Sequence, residues 1–182
     1  MQVVVLYESL FGNTREVAEA VAAGVAEAHP QALVVTQAVG DVDPAAVAAA
    51  ELLIVGGPTH MRGMTTGLSR RMGLSAEGKK PEAEHHEPEP GAEGPGVRDW
   101  LHELPRAEPG RWAAVFDTRA DFRMAGGAAP TIARRLRRHG YELVVEPEGF
   151  LVEDTEGPLR AGEVDRAKQW AAELVRQVSA AR

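Results

Sequence analysis

The sequence contains no cysteine, which excludes disulfide bonds, thiolate metal sites and cysteine nucleophiles. It also lacks an apolar run long enough to cross a membrane. Its first residues lead directly into an apolar segment, without the charged start, apolar centre and cleavage site of a secretory signal. These absences predict a soluble cytoplasmic protein that does not insert into a membrane.

Positive charge is also scarce in this chain. Its 20 Lys and Arg residues face 27 Asp and Glu residues, which gives a formal net charge of -7. The acidic side chains concentrate between Glu77 and Glu93 and between Glu142 and Glu156. A nucleic-acid-binding surface needs clustered basic side chains, so this charge pattern argues against a nucleic-acid partner.

Apolar segments alternate with helical patterns along most of the 182 residues. Buried strands that are separated by helices predict one α/β domain over residues 1–182, with a parallel sheet covered on both faces. Right-handed crossovers restrict the topology to a doubly wound fold. The predicted strands are Val3–Tyr7, Ala32–Thr36, Leu52–Val55, Trp112–Phe116 and Glu142–Val145, the last followed by a second apolar piece, Gly149–Val152. The predicted helices are Thr14–Ala28, Pro44–Ala50, Thr65–Arg71, Val97–Leu104, Pro130–Arg138 and Gly162–Ser179.

One segment, Ser75 to Gly96, interrupts this alternation. It is rich in Pro, Gly and Glu and has no core-forming residue beyond Ala. Such a composition buries too little apolar surface to offset the entropy of ordering, so a mobile insertion at 75–96 is predicted. The adjacent His85 and His86 have no fixed ligand geometry, and no metal site is predicted there.

The first predicted strand ends in a polar, glycine-bearing turn, Glu8 to Asn13, that leads straight into a helix. A strand, a tight turn and a helix N-terminus together form a site for an anion. The turn offers hydroxyl groups and amides but no lysine, so the P-loop pattern is absent. These features suit a monoester phosphate held by backbone N–H groups. The alternative is a plain turn, with Thr14 acting only as a helix cap.

The hexapeptide S-L-F-G-N-T, residues 9–14, resembles the phosphate loop of the flavodoxin family, usually written [ST]-x-T-G-x-T. Ser9, Gly12 and Thr14 match that pattern, and Phe11 stands where many members have Thr. The stretch Gly149 to Ala167 resembles the last strand and helix of flavodoxins and of nitric-oxide-synthase-like flavodoxin domains. The resemblance implies a flavodoxin-like domain with the strand order 2-1-3-4-5.

The resemblance also implies non-covalent binding of FMN. The phosphate would lie on the first loop, and the flavin ring between the loops that follow the third and fourth strands. The implied cofactor-binding residues are Ser9, Leu10, Phe11, Gly12, Asn13, Thr14, Pro58, Thr59, His60, Met61, Asp117, Thr118 and Arg119. Many family members stack a Tyr on the ring, whereas these loops offer only Phe122.

Two of these residues have alternative interpretations. His60 either bonds the flavin or caps the turn that follows it. The guanidinium of Arg119 either lies near the pyrimidine end of the ring, where it would stabilise an anionic reduced flavin, or pairs with Asp117 or Asp121. Arg123 shares the first of these possibilities.

The implied work is electron transfer or reduction of a small acceptor by the flavin, with the redox partner unidentified. No general acid–base pair and no Ser-His-Asp arrangement is present, so no catalytic side chain is predicted. Two alternatives differ in class. One is an NAD(P)H-dependent quinone or flavin reductase of the same fold, and the other is a flavin-free module that serves for binding.

Overall fold

Within the residues that the structure describes, the sheet has seven strands. The computed structural model describes residues 1–60, 63–82, 85–121 and 126–181. The strands are β1 (Gln2–Tyr7), β2 (Leu33–Ala38), β3 (Leu52–His60), β4 (Gly63–Met64), β5 (Trp112–Ala120), β6 (Glu142–Leu143) and β7 (Glu148–Val152). The helices are α1 (Asn13–Ala28), α2 (Pro44–Ala49), α3 (Gly67–Glu77), α4 (Val97–Glu103), α5 (Ala128–Arg138) and α6 (Glu163–Ala180), with a short 3-10 turn at Val39–Asp41.

The parallel strands follow the order β2-β1-β3-β5-β6, and β7 continues beside β5 beyond β6. The two-residue β4 folds back antiparallel to the end of β3. Because β6 and β7 are two pieces of one position in the sheet, the parallel strands have the predicted order 2-1-3-4-5. The prediction of a doubly wound α/β fold is confirmed.

Helices cover both faces of the sheet, as the near-continuous apolar strands require. On one face α1 and α6 pack over Val3, Val5 and Ile54, and on the other α4 and α5 pack over Leu53 and Val55. Residues that alternate along one strand therefore belong to opposite cores. The Val17, Val21 and Val25 series of α1 is fully buried, which confirms the amphipathic pattern read from the sequence.

Few aromatic side chains are present, and several of them fill the α1–α6 core. Phe116, Phe150 and Trp170 meet edge to face, with ring centroids 5.9 to 6.1 Å apart. Phe116 lies directly on the backbone of Gly56, where a Cβ would come within 2.0 Å of the ring. Gly56 is therefore required by the ring of Phe116.

Two strands run further than their apolar segments predict. β3 was expected to end at Val55 and β5 at Phe116, but they extend to His60 and Ala120. Pairing continues because Gly57 and Pro58 stay in register with Asp117 and Thr118, and because β4 and β7 add partners at the far ends. The predicted ring-binding residues at 58–60 and 117–119 therefore lie in strands.

Helix α3 also differs from its predicted bounds. It was expected over Thr65–Arg71, and it instead spans Gly67–Glu77. The Thr66 hydroxyl accepts a hydrogen bond from the Ser69 N–H at 3.0 Å and thereby caps the helix. The helix thus includes the first three residues of the predicted insertion. Within the described part of the chain, no helix combines the length and the apolar character needed to cross a membrane.

Candidate functional site

The candidate site lies at the carboxyl ends of β1, β3 and β5. In an open α/β sheet this edge gathers the loops that bind ligands, at the point where the strand order reverses. Here the reversal falls between β1 and β3, which are direct neighbours in the sheet. The loop after β1 and the ends of β3 and β5 therefore meet, as the sequence predicts.

The loop from Ser9 to Thr14 forms a tight turn before α1. Gly12 is the N-cap residue, with a φ of 95°, a conformation that favours glycine. Its own N–H donates to the Ser9 hydroxyl at 3.1 Å, and it has no side chain with which to cap the helix. A 16-residue helix thus begins without a side-chain cap at Gly12, and its first N–H groups and dipole favour an anion.

The other polar side chains of this loop are bonded within the protein. The Thr14 and Thr118 hydroxyls lie 2.8 Å apart and are buried, which ties the start of α1 to the end of β5. The Asn13 amide donates to the carbonyl of Glu156 at 2.7 Å, in the turn after β7. Thr14 and Asn13 therefore fix the loop relative to its neighbours.

A second segment, which we call the strap (residues 85–96), lies on this loop. The backbone N–H of Glu89 donates to the Leu10 carbonyl at 2.8 Å. The Glu89 carboxylate accepts a hydrogen bond from Arg15 Nε at 2.9 Å. A Cβ built on Gly12 would lie 3.2 Å from Glu89 Oε1. A carboxylate of the protein itself thus lies over the turn predicted to hold a phosphate.

The strap is also anchored to the end of α3. Glu77 is buried and receives hydrogen bonds from the His86 N–H at 2.6 Å and an ion pair from Lys80 at 2.7 Å. Burial alone would raise the pKa of Glu77, but the bonds from Lys80 and His86 lower it to about 2. Phe11 meets the ring of His86 edge to face, and Lys80 also reaches Glu156 at 3.2 Å.

These contacts show that the predicted insertion packs on the domain. The expectation that it is mobile and dispensable stays a prediction.

Behind the loop, a buried ionic network joins β1 to α3 and α4. Glu8 is 6 % exposed and accepts hydrogen bonds from the Thr65 hydroxyl and, at 2.8 Å, from the Val97 N–H. Arg70, 4 % exposed, lies 3.7 Å from Glu8 and bonds Asp99 at 2.9 Å. This network holds the residue before the phosphate loop in place.

The ends of β3 and β5 are bonded to each other and to α5. The Asp117 carboxylate, which is fully buried, accepts hydrogen bonds from the Thr59 hydroxyl at 3.0 Å and the Ala129 N–H at 2.9 Å. Thr59 in turn accepts from the Ala128 N–H at 2.8 Å. Burial raises the pKa of Asp117, although the Ala129 N–H and the Arg119 charge act against it.

Arg119 belongs to this same structural cluster. Its guanidinium lies 3.5 Å from Asp117 and in contact range of Gly149, while Asp121 pairs with Arg160 instead. Arg119 therefore forms an ion pair with Asp117, which is the second of the two interpretations of this residue. His60 packs near Gly73 of α3 and pairs with β4. Met61, Phe122 and Arg123 lie outside the described residues.

Comparisons with known proteins address the fold. The sequence matches no known family model and no curated protein. A flavodoxin from the domain Archaea superposes with a TM-score of 0.64 at 18% identity, over 98% of this chain and 99% of that one. The oxidised Flavodoxin 2 from Bacillus cereus gives 0.63 at 19% identity, over 97% and 99%.

A WrbA-like flavodoxin from Agrobacterium tumefaciens gives 0.56 at 18% identity, over 100% of this chain and 99% of that one. This chain has the flavodoxin-like fold. The resemblance read from residues 9–14 and 149–167 is thereby confirmed for the fold. Structural likeness at identities of 18% to 19% shows the fold and does not show the cofactor or the activity.

Sequence reasoning missed Glu89, Glu8 and Arg70 as parts of this site. Glu89 lies in a segment whose composition predicts disorder, yet Pro88 and Pro90 flank it and restrict its backbone, which was the available signal. Glu8 and Arg70 meet across 62 positions of chain, and no local pattern of residues indicates such a pair.

Proposed function

We propose that this protein binds FMN at the carboxyl edge of its sheet and uses it for electron transfer or for reduction of a small acceptor. The observation that carries the proposal is the glycine N-cap of α1 at the reversal of strand order, with a carboxylate already resting over it. A helix that begins at a glycine without a side-chain cap favours negative charge at that point. Solved structures with this fold that are named flavodoxins support the choice of a flavin.

The loop retains donors for a phosphate in spite of its internal bonds. Ser9 accepts a hydrogen bond through its oxygen, so its own proton is free to donate. In the Thr14–Thr118 pair only one of the two hydroxyl protons lies between the oxygens, and the other can serve a phosphate. Arg15 stands next to the loop and supplies the positive charge that the absent lysine would otherwise give.

The ends of β3 and β5 would form the ring end of the site. Because Thr59 and Asp117 bond α5 and each other, they would orient the strand ends, and the backbone from Pro58 to His60 would meet the flavin. When bound, FMN would supply the redox chemistry by accepting and releasing electrons. The chain itself would bind, orient and shield it.

The visible absorption spectrum of the purified protein, before and after addition of FMN, tests this proposal. We expect the flavin bands to stay with the protein after free FMN has been removed by gel filtration. A protein that remains colourless after saturation with FMN and with riboflavin would contradict it.

A flavin-free binding module is the second candidate, and a specific observation favours it. Ser9, Asn13 and Thr14 are each bonded within the protein, and Glu89 covers the turn that they form. In that case the loop would only connect α1 to its neighbouring elements through these hydrogen bonds, without binding a ligand. The same spectrum separates the two candidates.

A further inference from the structure

The Glu89 carboxylate lies against the proposed phosphate loop, beside the Arg15 guanidinium and the Gly12 N-cap of α1. It is held there by two independent bonds, one from its N–H to the Leu10 carbonyl at 2.8 Å and one to its carboxylate from Arg15 at 2.9 Å. Its other oxygen lies 3.2 Å from the Cβ position of Gly12. A phosphate dianion bound at the start of α1 would lie near this carboxylate, and the two negative charges would repel each other.

Arg15 is shared between two acids on opposite sides. It donates to Glu89 through Nε and to Glu19 through Nη1, both at 2.9 Å. These bonds, first of all the one to Glu89, raise the pKa of Arg15. If Glu89 leaves, Arg15 stays oriented by Glu19 and can turn its free N–H groups to a phosphate. Arg15, the cation of the loop, can therefore pair with either of two anions, Glu89 or a phosphate.

We infer that Glu89 is an affinity- and specificity-determining residue of the phosphate loop, an internal anion that the cofactor phosphate must displace. This inference rests on the proposed function, and it names Glu89 as the group that regulates phosphate binding at the proposed flavin site. Binding of a phosphorylated flavin would release the strap from Leu10 and transfer Arg15 from carboxylate to phosphate. A flavin without phosphate, such as riboflavin, would leave the strap in place.

The strap is suited to such displacement. The side chain of Arg15 is 41% exposed and that of Glu89 is 18% exposed, so water reaches the ion pair from the Arg15 side and weakens it. A phosphate with charge-assisted hydrogen bonds to the same loop gains more. The anchors at Glu77, Lys80 and His86 lie before Glu89 in the chain and would keep the strap close to the loop after its release.

The test compares Glu89→Gln with the wild type and with Glu93→Gln. Glu93 is an exposed acid of the same strap with no ion pair among the described residues, so its variant controls for the loss of one charge. Dissociation constants for FMN and riboflavin are measured by quenching of flavin fluorescence. We expect Glu89→Gln to tighten FMN by about five- to tenfold and to leave riboflavin unchanged, with Glu93→Gln like the wild type. Equal FMN affinity in Glu89→Gln and wild type would overturn the inference.

A second measurement decides the inference if no flavin binds, which would be a failure of the proposed function alone. Hydrogen–deuterium exchange of the peptide that contains Glu89 is followed in the wild type with and without inorganic phosphate. Because the Glu89 N–H is bonded to Leu10, displacement of the strap should speed its exchange. Unchanged exchange at saturating phosphate, or at saturating FMN where FMN binds, would also overturn it.

Discussion

The two halves of the candidate site lie at one edge of the sheet but use their polar groups in different ways. On the β1 side, a glycine begins α1 and a carboxylate from a distant segment rests above it. On the β5 side, Asp117 and Thr59 bond each other and the first N–H groups of α5. One half has a carboxylate beside the start of a helix, whereas the polar groups of the other half hold strand ends and a helix together.

Each half also contains a buried carboxylate, and the two are compensated to different extents. Glu8 has Arg70 beside it and receives hydrogen bonds from Thr65 and Val97. Asp117 receives its bonds on Oδ2 alone, and among the described residues no donor bonds its Oδ1, although Arg119 lies 3.5 Å away. The difference teaches that Glu8 has a donor on each of its two oxygens, although Arg70 Nε beside it has no partner among the described residues, whereas Asp117 has donors on one oxygen alone.

The largest expected effect comes from removing the better compensated acid. Glu8→Ala takes the acceptor from the buried Thr65 hydroxyl and Val97 N–H, and it leaves the buried Arg70 with Asp99 as its remaining acid partner. Breaking a buried pair in this way costs about 3–5 kcal/mol of unfolding free energy. Urea unfolding measures the loss. Glu173→Ala, which removes an exposed partner of Arg176, is the control and should change the free energy of unfolding little. A similar small loss for Glu8→Ala would show that the network does not hold the β1 half.

The next largest effect is expected on ligand affinity, which should differ between variants of the two halves. Thr14→Ala is expected to weaken FMN about tenfold or more while barely changing riboflavin, since a charge-assisted bond contributes about 1.5–3 kcal/mol. Thr118→Ala is the matched control, because it breaks the same hydroxyl pair from the β5 side. Fluorescence titration gives both constants. Equal losses of affinity for FMN and riboflavin in Thr14→Ala would show that the phosphate does not bind in the β1 half.

The pH dependence of stability should report the poorly compensated acid of the β5 half. Burial raises the pKa of Asp117 above its ordinary value of 3.8, so the folded protein holds this proton more tightly than the unfolded chain does. Its contribution to stability is therefore full below about pH 4 and is lost as the pH rises through the raised pKa.

Asp117→Asn has no such titration, and it keeps an oxygen to accept from Thr59 and Ala129. We expect the stability of the wild type, relative to this variant, to fall as the pH rises from about 3.5 toward neutrality. Thermal or urea unfolding at several pH values measures the difference. A difference that stays constant, or that grows in favour of the wild type, would contradict the raised pKa.

The smallest effect is expected for Arg119→Gln. Since this guanidinium lies against Asp117 and Gly149, it should not reach the pyrimidine end of a bound flavin. The reduction potential for the second electron should stay near that of the wild type in a dithionite titration with reference dyes. A clear fall in that potential would show that Arg119 acts on the ring, as one interpretation of the sequence proposed.

Local patterns were enough to predict most of the fold. The apolar runs identified the strands, and the turn before α1 together with Val17, Val21 and Val25 identified the first helix. Strand ends were less predictable because Pro58 to His60 and Asp117 to Arg119 are not apolar. They extend β3 and β5 through pairing with β4 and β7, which only the folded chain brings together.

The internal partners of the site could not be read from the sequence. Asp117 precedes Ala129 by 12 positions and Glu89 follows Leu10 by 79, so no helix or strand period connects them. The contacts of the strap are also not indicated by its composition, which is rich in Pro, Gly and Glu. The strap is held by ion pairs and backbone hydrogen bonds through Glu77, Lys80 and Glu89.

The central claim is that the β1 half holds the phosphate of a flavin, and the ratio of two dissociation constants tests it most directly. FMN and riboflavin differ only in that phosphate, so their affinities for the wild-type protein isolate its contribution. We predict that FMN binds at least about tenfold more tightly than riboflavin at moderate salt. Equal affinity for the two flavins, or no binding of either, would contradict the claim.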